Sequence, residues 1–285
     1  MPPLKPRQPR TVVMITGATG GLGKAFAVEC ASRGWDLFLT DLSADLLETL
    51  AEGLRRAYRV HASSYACDLT DPTARAALLK QIDDSGLRFR LLLNVAGVDF
   101  EGLFYEQTLQ HIRTIIRLNI EATLEMTHSL LAYRDPLHPF HIVNVASLAA
   151  FAPMPVKATY AASKRFLLDF SLALGEEVRE LGATVTALCP AGMPTTRACI
   201  EGIEAQGWMG QITTCDVGQV AYLTIEAALK GRPVVIPGAP NRLLQSLSAL
   251  APAPLAARLI GKRWKDAHRQ KRQAQTAGAL LQNPT

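Results

Sequence analysis

The chain has 285 residues, 48% of them hydrophobic, so it could form one large α/β domain or two small ones with a sizeable core. Its net charge of +5 is concentrated at the ends, with +3 in residues 1–10 and +5 in residues 262–272, which leaves −3 on the body and disfavours a nucleic-acid-binding surface. Five cysteines without a C-x-x-C pair disfavour a disulfide framework and predict reduced thiols in a cytoplasmic protein.

Residues 1–10 are rich in proline and basic residues and lack the apolar core of a secretory signal, so they predict a disordered leader. From residue 11, short apolar runs alternate with stretches of helical periodicity, a pattern typical of βαβ units and a parallel sheet. The predicted strands are 12–15, 37–40, 62–67, 91–94, 141–146, 184–188 and 234–236. The predicted helices are about 22–33, 43–57, 72–85, 108–133, 158–181 and 216–230. No linker or repeat divides this body, so residues 11–240 predict a single α/β domain with helices on both faces of the sheet.

A glycine-rich run, Thr16–Gly23, connects the first predicted strand to the first helix. Glycine permits the tight turn and lets a pyrophosphate approach the backbone and the unpaired N–H groups of the helix. The run is not a P-loop, because Ala18 replaces its first glycine and Ala25 replaces its Ser or Thr. The predicted cofactor contacts here are Gly17, Thr19, Gly21, Leu22 and Gly23.

Asp41 ends the second predicted strand, eighteen residues after Gly23. An acidic residue at about this distance hydrogen-bonds the adenosine ribose of a dinucleotide, and its charge repels a 2′-phosphate. No Arg or Lys lies in 18–20 or 40–44, so the sequence favours NAD. NADP stays open, because a basic side chain from elsewhere could reach the site. Asp also suits a helix cap, and one carboxylate can serve both purposes.

Two further strand ends carry candidate cofactor contacts. Asp68 and Leu69 follow the third predicted strand, where Asp68 could accept a hydrogen bond from adenine or simply form a turn. Asn94, Ala96 and Gly97 end the fourth strand with mostly small residues that would let a cofactor lie against the backbone.

Tyr160 and Lys164 are four residues apart on a predicted helix, so their side chains project from one face. A nearby ammonium lowers the pKa of a phenol, and Tyr160 could then exchange a proton with an alcohol or ketone. Ser147, at the end of the fifth strand, could hydrogen-bond the substrate oxygen. Asn119 is unfavourable within a helix, so a polar task such as holding a water beside Lys164 is plausible.

These residues together resemble the short-chain dehydrogenase/reductase (SDR) family over about residues 11–240. They are Thr16-Gly17-x-x-x-Gly21-x-Gly23, Asp68, Asn94-x-Ala96-Gly97, Asn119, Ser147, Tyr160 and Lys164. The resemblance implies a Rossmann-type, doubly wound domain with a seven-stranded parallel sheet, and a homodimer or homotetramer. It also implies an Asn–Ser–Tyr–Lys tetrad in which Lys164 additionally holds the nicotinamide ribose.

Two positions depart from the family pattern. The family's Asn-Asn-Ala-Gly is Asn-Val-Ala-Gly here, and its Pro-Gly after the sixth strand is Pro190-Ala191-Gly192. The segment after that strand is implied to contact the nicotinamide carboxamide, which makes Pro190, Gly192, Met193 and Thr195 candidate cofactor residues.

The remaining segments concern the substrate. Residues 193–214 predict a lid whose apolar side chains, with those that follow Ser147, would form a pocket for a hydrophobic secondary alcohol or ketone. These side chains are Ile200, Ile203, Trp208 and Met209 from the lid, and Phe151, Met154 and Pro155. Residues 241–285 form an extension that is first apolar and then basic. Its prolines and Arg258 disfavour a transmembrane helix, but it could lie on an anionic membrane surface, cover the substrate site, or pack on the body or a second subunit.

The sequence therefore predicts an NAD(P)-dependent oxidoreductase with Tyr160 as general acid and base. The alternative is a regulatory protein that senses NAD with little turnover, which would not need Tyr160 or Lys164. A serine hydrolase is disfavoured because Ser147 lacks the glycines of a nucleophile elbow, and scattered histidines predict no metal site.

Overall fold

The computed structural model describes residues 10–195, 197–204, 207–250, 252–262 and 264. Seven parallel strands form one sheet in the order β3-β2-β1-β4-β5-β6-β7, which confirms the predicted fold class. The strands are β1 (Thr11–Thr16), β2 (Asp36–Asp41), β3 (Ala62–Ala66), β4 (Arg88–Asn94), β5 (Phe140–Val145), β6 (Ala183–Leu188) and β7 (Val234–Val235). The predicted leader lies almost wholly outside the described residues, as does the extension beyond residue 264.

Helices cover both faces of the sheet. They are α1 (Gly21–Ser32), α2 (Ala44–Tyr58), α3 (Pro72–Ser85), α4 (Leu109–Ile115), α5 (Thr123–Ala132), α6 (Ala158–Glu177), α7 (Arg197–Glu204), α8 (Trp208–Thr213), α9 (Val217–Leu229) and α10 (Ala239–Leu250), followed by a helix over 253–262. Alternate residues of β1 explain the two layers: Val13 and Ile15 pack towards α1, α2 and α9, whereas Val12 and Met14 pack towards α3 and α5. Because both faces are covered, the central strands are almost continuously apolar.

The long helix predicted over 108–133 is interrupted. Between α4 and α5, residues Ile116–Ala122 form a π-helical turn that contains Asn119. A π turn inserts one residue into the helical repeat and occurs often at functional sites. The predicted lid also gains structure, because it contains α7 and α8.

The strand order reverses between β1 and β4, which pair with each other although they are distant in sequence. In open α/β sheets this switch point, at the carboxyl ends of the strands, is where ligands bind. None of the helices in the described ranges is both long and apolar enough to cross a membrane.

Candidate active site

The glycine-rich loop lies at this switch point and approaches other backbone closely. Gly17 has φ +64°, and a Cβ on it would lie 2.8 Å from the backbone of Ala96. A Cβ on Gly23 would lie 2.1 Å from the carbonyl oxygen of Gly17. Side chains at these positions would therefore fill the space where the loop turns into α1.

The amino end of α1 offers a site for a phosphate. Gly20 precedes the helix, and among the described residues no side chain caps it, so the N–H groups of Gly21 and Leu22 point outwards without a capping acceptor. The Leu22 side chain is buried, so this residue can contact a ligand only through its backbone. Thr195 lies directly over this end, because a Cβ on Gly21 would be 2.6 Å from Thr195 Cγ2.

Asp41 is held at the carboxyl end of β2 by the glycine-rich loop. Its Oδ2 accepts hydrogen bonds from the Thr19 amide (2.8 Å) and the Thr19 hydroxyl (2.6 Å), and its Oδ1 accepts from the Leu42 amide (2.7 Å). The helix cap of α2 is Ser43 and not Asp41. Within the described part of the chain, no Lys or Arg forms an ion pair with this carboxylate.

The other predicted contacts to the adenosine half lie at neighbouring strand ends. Asp68 Oδ1 accepts from the amide and hydroxyl of Thr70, both at 2.8 Å, so this carboxylate also shapes the turn. The Leu69 side chain is buried. Asn94 is buried and donates to Thr127 Oγ1 (3.0 Å) and Asn144 Oδ1 (2.8 Å), so its amide is committed to the core. A cofactor contact from Leu69 or Asn94 would therefore use the backbone.

Asn119 connects three parts of the site from its π-helical turn. It is fully buried; its Oδ1 accepts from the Val98 amide (2.9 Å), and its Nδ2 donates to the Val98 carbonyl (3.0 Å) and to Ser163 Oγ (3.1 Å). Ser163 in turn donates to the Tyr160 carbonyl (2.7 Å). The Asn119 amide therefore fixes the loop after β4 against α6. The water contact beside Lys164 that the sequence suggests for Asn119 stays a prediction.

Ser147, Tyr160 and Lys164 come together at the carboxyl edge of the sheet. Ser147 lies close enough to the phenol of Tyr160 to lower its pKa, and its Oγ accepts from the Ala149 amide (3.1 Å). Lys164 Nζ lies 5.7 Å from the centre of the Tyr160 ring and donates to the Val145 carbonyl (2.7 Å). A Cβ on Gly97 would be 3.2 Å from Asn119 Oδ1 and 3.3 Å from Lys164 Nζ, so all four tetrad members share one small region.

The pKa of Tyr160 differs from the sequence-based expectation. Burial and the neighbouring Asp99 raise the pKa of this phenol, against the hydrogen bond from Ser147 and the charge of Lys157, which lower it. Burial also lowers the pKa of Lys164 to about 8. The expectation that the protein's own ammonium lowers the pKa of Tyr160 overall was wrong, because it left out desolvation and Asp99.

The missed neighbours form a charged cluster beside the phenol. Lys157, one turn before Tyr160, pairs with Asp99 and lies 3.5 Å from Glu101. Its Nζ is 5.8 Å from the Tyr160 ring and 5.1 Å from the Trp264 ring. No single-residue pattern marked this cluster. The available signals were two acidic residues, two and four positions after Gly97, and a lysine three positions before Tyr160.

The segment after β6 lies against the same region. The Pro190 carbonyl accepts from the Leu148 amide (2.8 Å), and the Gly192 carbonyl accepts from Cys215 (3.1 Å). Met193 packs on the core, and Ile203 of the lid lies 3.0 Å from a Cβ on Gly192. Ile200 and Trp208 are exposed, so this side of the predicted apolar pocket is open.

Four cysteines, Cys30, Cys67, Cys189 and Cys215, are buried thiols, whereas Cys199 in the lid is exposed. Within the described ranges, no group of three or more His, Cys, Asp or Glu side chains could hold a metal ion. The residues do fit a dinucleotide, because a glycine-rich loop that leaves no room for a Cβ at Gly17 or Gly23, an uncapped helix end and an oriented carboxylate adjoin one another.

This fold and these contacts define a Rossmann-type oxidoreductase. Residues 11–201 match the family model described as short chain dehydrogenase, and the chain therefore belongs to the short-chain dehydrogenase family.

Two curated relatives and one solved structure illustrate the similarity. A very-long-chain 3-oxoacyl-CoA reductase from Laccaria bicolor is 32% identical over 179 residues, which cover 61% of this chain and 52% of that protein. A sulfoacetaldehyde reductase from Chromohalobacter salexigens is 36% identical over 184 residues, 62% of this chain and 70% of that protein. A short-chain dehydrogenase from Sphingobium yanoikuyae in complex with NADPH has a TM-score of 0.71 and 28% identity, covering 85% of this chain and 96% of that one. The chain thus spans about half the length of the first of these relatives.

Proposed function

We propose that this protein interconverts a secondary alcohol and a ketone of a hydrophobic substrate, with NAD as the preferred cofactor. The observation that carries the proposal is that Ser147, Tyr160 and Lys164 meet at one edge of the sheet, with Ser147 close enough to the phenol to lower its pKa and Lys164 Nζ 5.7 Å from the centre of the Tyr160 ring. Tyr160 is an acid–base residue, Ser147 is a donor that can position a substrate oxygen, and Lys164 is a cation that favours the phenolate.

In the oxidation direction, Tyr160 takes the hydroxyl proton of the alcohol while Ser147 holds the same oxygen by a hydrogen bond. Bound NAD supplies the carbon that accepts the hydride. Lys164 would hold the nicotinamide ribose, as the family resemblance implies, and its charge would stabilise the phenolate. The Asn119 amide keeps α6 and the loop after β4 in register, so the proton-transfer groups stay preorganised.

The preference for NAD rests on Asp41. Its carboxylate is oriented by Thr19 and Leu42, at a position suited to the adenosine ribose, and would repel a 2′-phosphate. The Sphingobium yanoikuyae enzyme binds NADPH, so the family fold alone does not decide between the two cofactors.

The substrate class follows from the charges beside Tyr160. Asp99 and Glu101 outnumber Lys157, the cation that contacts them both, so an anionic substrate such as the one in the name of the sulfoacetaldehyde reductase is disfavoured. A long chain, as in the name of the 3-oxoacyl-CoA reductase, fits better with the apolar side chains of Phe151, which follows Ser147, and Ile203, which lies against Gly192. We propose that the reacting end of the substrate is uncharged and apolar.

The first test is calorimetric titration of the purified protein with NADH and NADPH in parallel, followed by turnover assays on hydrophobic secondary alcohols. Tighter NADH binding and loss of turnover in Tyr160→Phe are expected. Tighter NADPH binding would overturn the role of Asp41. Cofactor binding with unchanged output in Tyr160→Phe would instead favour the NAD-sensing alternative.

We also propose a homo-oligomer in the cytoplasm. Phe166 and Leu172 are exposed on α6, and Phe166 stacks on Phe170 with ring centres 6.0 Å apart, an apolar surface suited to a second copy. The buried thiols suit a reducing compartment. Light scattering on the purified protein would measure the mass in solution, and a monomer at all concentrations would refute the oligomer.

A further inference from the structure

Four exposed leucines lie on the last two described helices. Leu243 and Leu247 on α10 are 61% and 55% exposed, and Leu255 and Leu259 on the helix 253–262 are 49% and 65% exposed. Each pair is spaced four residues apart, so its members lie on one side of their helix. We call these four residues the leucine face.

The opposite sides of both helices are packed on the body. On α10, Asn241 is buried and donates to the carbonyls of Thr213 (3.0 Å) and Pro237 (2.8 Å). On the next helix, a Cβ on Gly261 would lie 2.9 Å from Pro155, in the segment before α6. The helices are therefore fixed with their leucines outwards, and the leucine face is not the side that packs on this domain.

Basic residues accompany the leucines. Arg258 and Lys262 are exposed on the same side of the helix as Leu255 and Leu259, at spacings of three and four residues. The sequence from 258 to 272 contains seven Lys or Arg residues and one acidic residue. An apolar side bordered by cations is the pattern of a helix that lies in the headgroup region of an anionic bilayer.

We propose that the leucine face is a docking surface for an anionic lipid bilayer, with Arg258 and Lys262 contacting the headgroups. A protein groove would take the leucines equally well, but the excess of positive charge favours a surface of repeated negative charge. The proposal stands independently of the hydride-transfer function. Trp264, which follows this helix, faces the body instead, because its ring lies 5.1 Å from Lys157 in the cluster beside Tyr160.

Co-sedimentation of the full chain with phosphatidylcholine vesicles, with and without phosphatidylserine, tests the docking surface. The wild-type protein should bind the vesicles that contain phosphatidylserine, and high salt should weaken the binding. Leu255→Glu/Leu259→Glu and, separately, Leu243→Glu/Leu247→Glu should each weaken it by roughly tenfold or more, because two apolar side chains no longer enter the bilayer.

Leu137→Glu is the matched control, because Leu137 is 75% exposed before β5, at the opposite edge of the sheet. It should bind vesicles like the wild type. Thermal unfolding and NADH titration of each variant verify that the domain remains folded. The proposal is overturned if the wild type does not bind anionic vesicles or if both double variants bind as tightly as the wild type. It is also overturned if the wild type is an oligomer, the double variants are monomers, and neither binds vesicles.

Discussion

The carboxylate of Asp99 forms an ion pair with the ammonium of Lys157 beside the phenol of Tyr160. Asp99 raises the pKa of Tyr160 and Lys157 lowers it, so the two members of this pair have opposite effects on the proton affinity of the phenol. Glu101 adds a second carboxylate next to Lys157, and Lys164 and Cys199 face the phenol from α6 and from the lid. The pair therefore tunes the acid–base group without belonging to the tetrad.

Opposite changes of charge in this pair should shift the pH profile in opposite directions. Asp99→Asn lowers the pKa of Tyr160, so the acidic limb of alcohol oxidation, where the phenolate is the base, should move to lower pH. Lys157→Met raises that pKa and should move the limb to higher pH. The measurement is kcat/KM as a function of pH.

The surface pair Lys80 and Asp84 provides matched controls, because it forms a similar ion pair on α3. Lys80→Met and Asp84→Asn should leave the profile where the wild type has it. Shifts of the two active-site variants in the same direction would contradict the tuning role, since they would indicate a general loss of structure.

A second prediction concerns the buried lysine. Lys164 has a pKa of about 8 in the folded protein because burial disfavours its charge, whereas an unfolded lysine has a pKa near 10.4. Between about pH 8 and pH 10 the unfolded chain therefore binds more protons at this residue than the folded chain. The stability contributed by Lys164 should rise with pH in this window, by up to about 1.4 kcal/mol per pH unit.

Urea unfolding of the wild type and Lys164→Met across this range measures the difference between the two proteins. Groups common to both, including the buried thiols of Cys30 and Cys189, cancel in that difference. A difference that stays flat, or that falls as pH rises, would show that the folded lysine keeps its ordinary proton affinity.

The cofactor preference gives a third prediction. Asp41→Ala removes the carboxylate that is expected to bind the ribose and repel a 2′-phosphate, so NADPH affinity should rise relative to NADH by roughly tenfold, about 1.4 kcal/mol. Asp45→Ala makes the same change of charge at an exposed position in the first turn of α2 and should leave the ratio unaltered. Equal ratios in Asp41→Ala and the wild type would remove the basis for preferring NAD.

Much of this architecture is readable in the sequence because buried parallel strands are continuous apolar runs. The predicted strand 141–146, for example, corresponds to β5 (Phe140–Val145). The π turn around Asn119 was missed because one inserted residue hardly alters the helical period. The Asp99–Lys157 pair was missed because its partners are 58 residues apart and meet only through the fold. The helix over 253–262 was not predicted, because Pro252 and Pro254 were used only to disfavour a transmembrane helix, although proline is tolerated in the first turn of a helix.

The glycine-rich loop gives a fourth prediction. In Gly23→Ala the new Cβ would lie 2.1 Å from the Gly17 carbonyl, so the loop must shift, at a cost of about 1–3 kcal/mol, and NADH affinity should fall. Gly53→Ala is the matched control, because Gly53 also lies within a helix but its Cβ would have nothing within 4 Å. That variant should bind NADH normally and be up to about 1 kcal/mol more stable. Similar effects of the two substitutions on NADH binding would argue against the close approach.

The contact between Trp264 and Lys157 gives the last prediction, because it brings the C-terminal segment to the charged cluster beside Tyr160, where we propose that the substrate binds. Trp264→Ala removes the aromatic face from the Lys157 ammonium and should raise KM for a hydrophobic substrate. The affinity for NADH should stay unchanged, because the predicted NADH site lies along β1 and β2. Trp264→Phe keeps an aromatic face and should restore most of the lost affinity. Steady-state kinetics and calorimetry separate the two effects. If NADH binding weakened as much as KM rose, Trp264 would be supporting the whole domain, and the C-terminal segment would have no specific place at the substrate site.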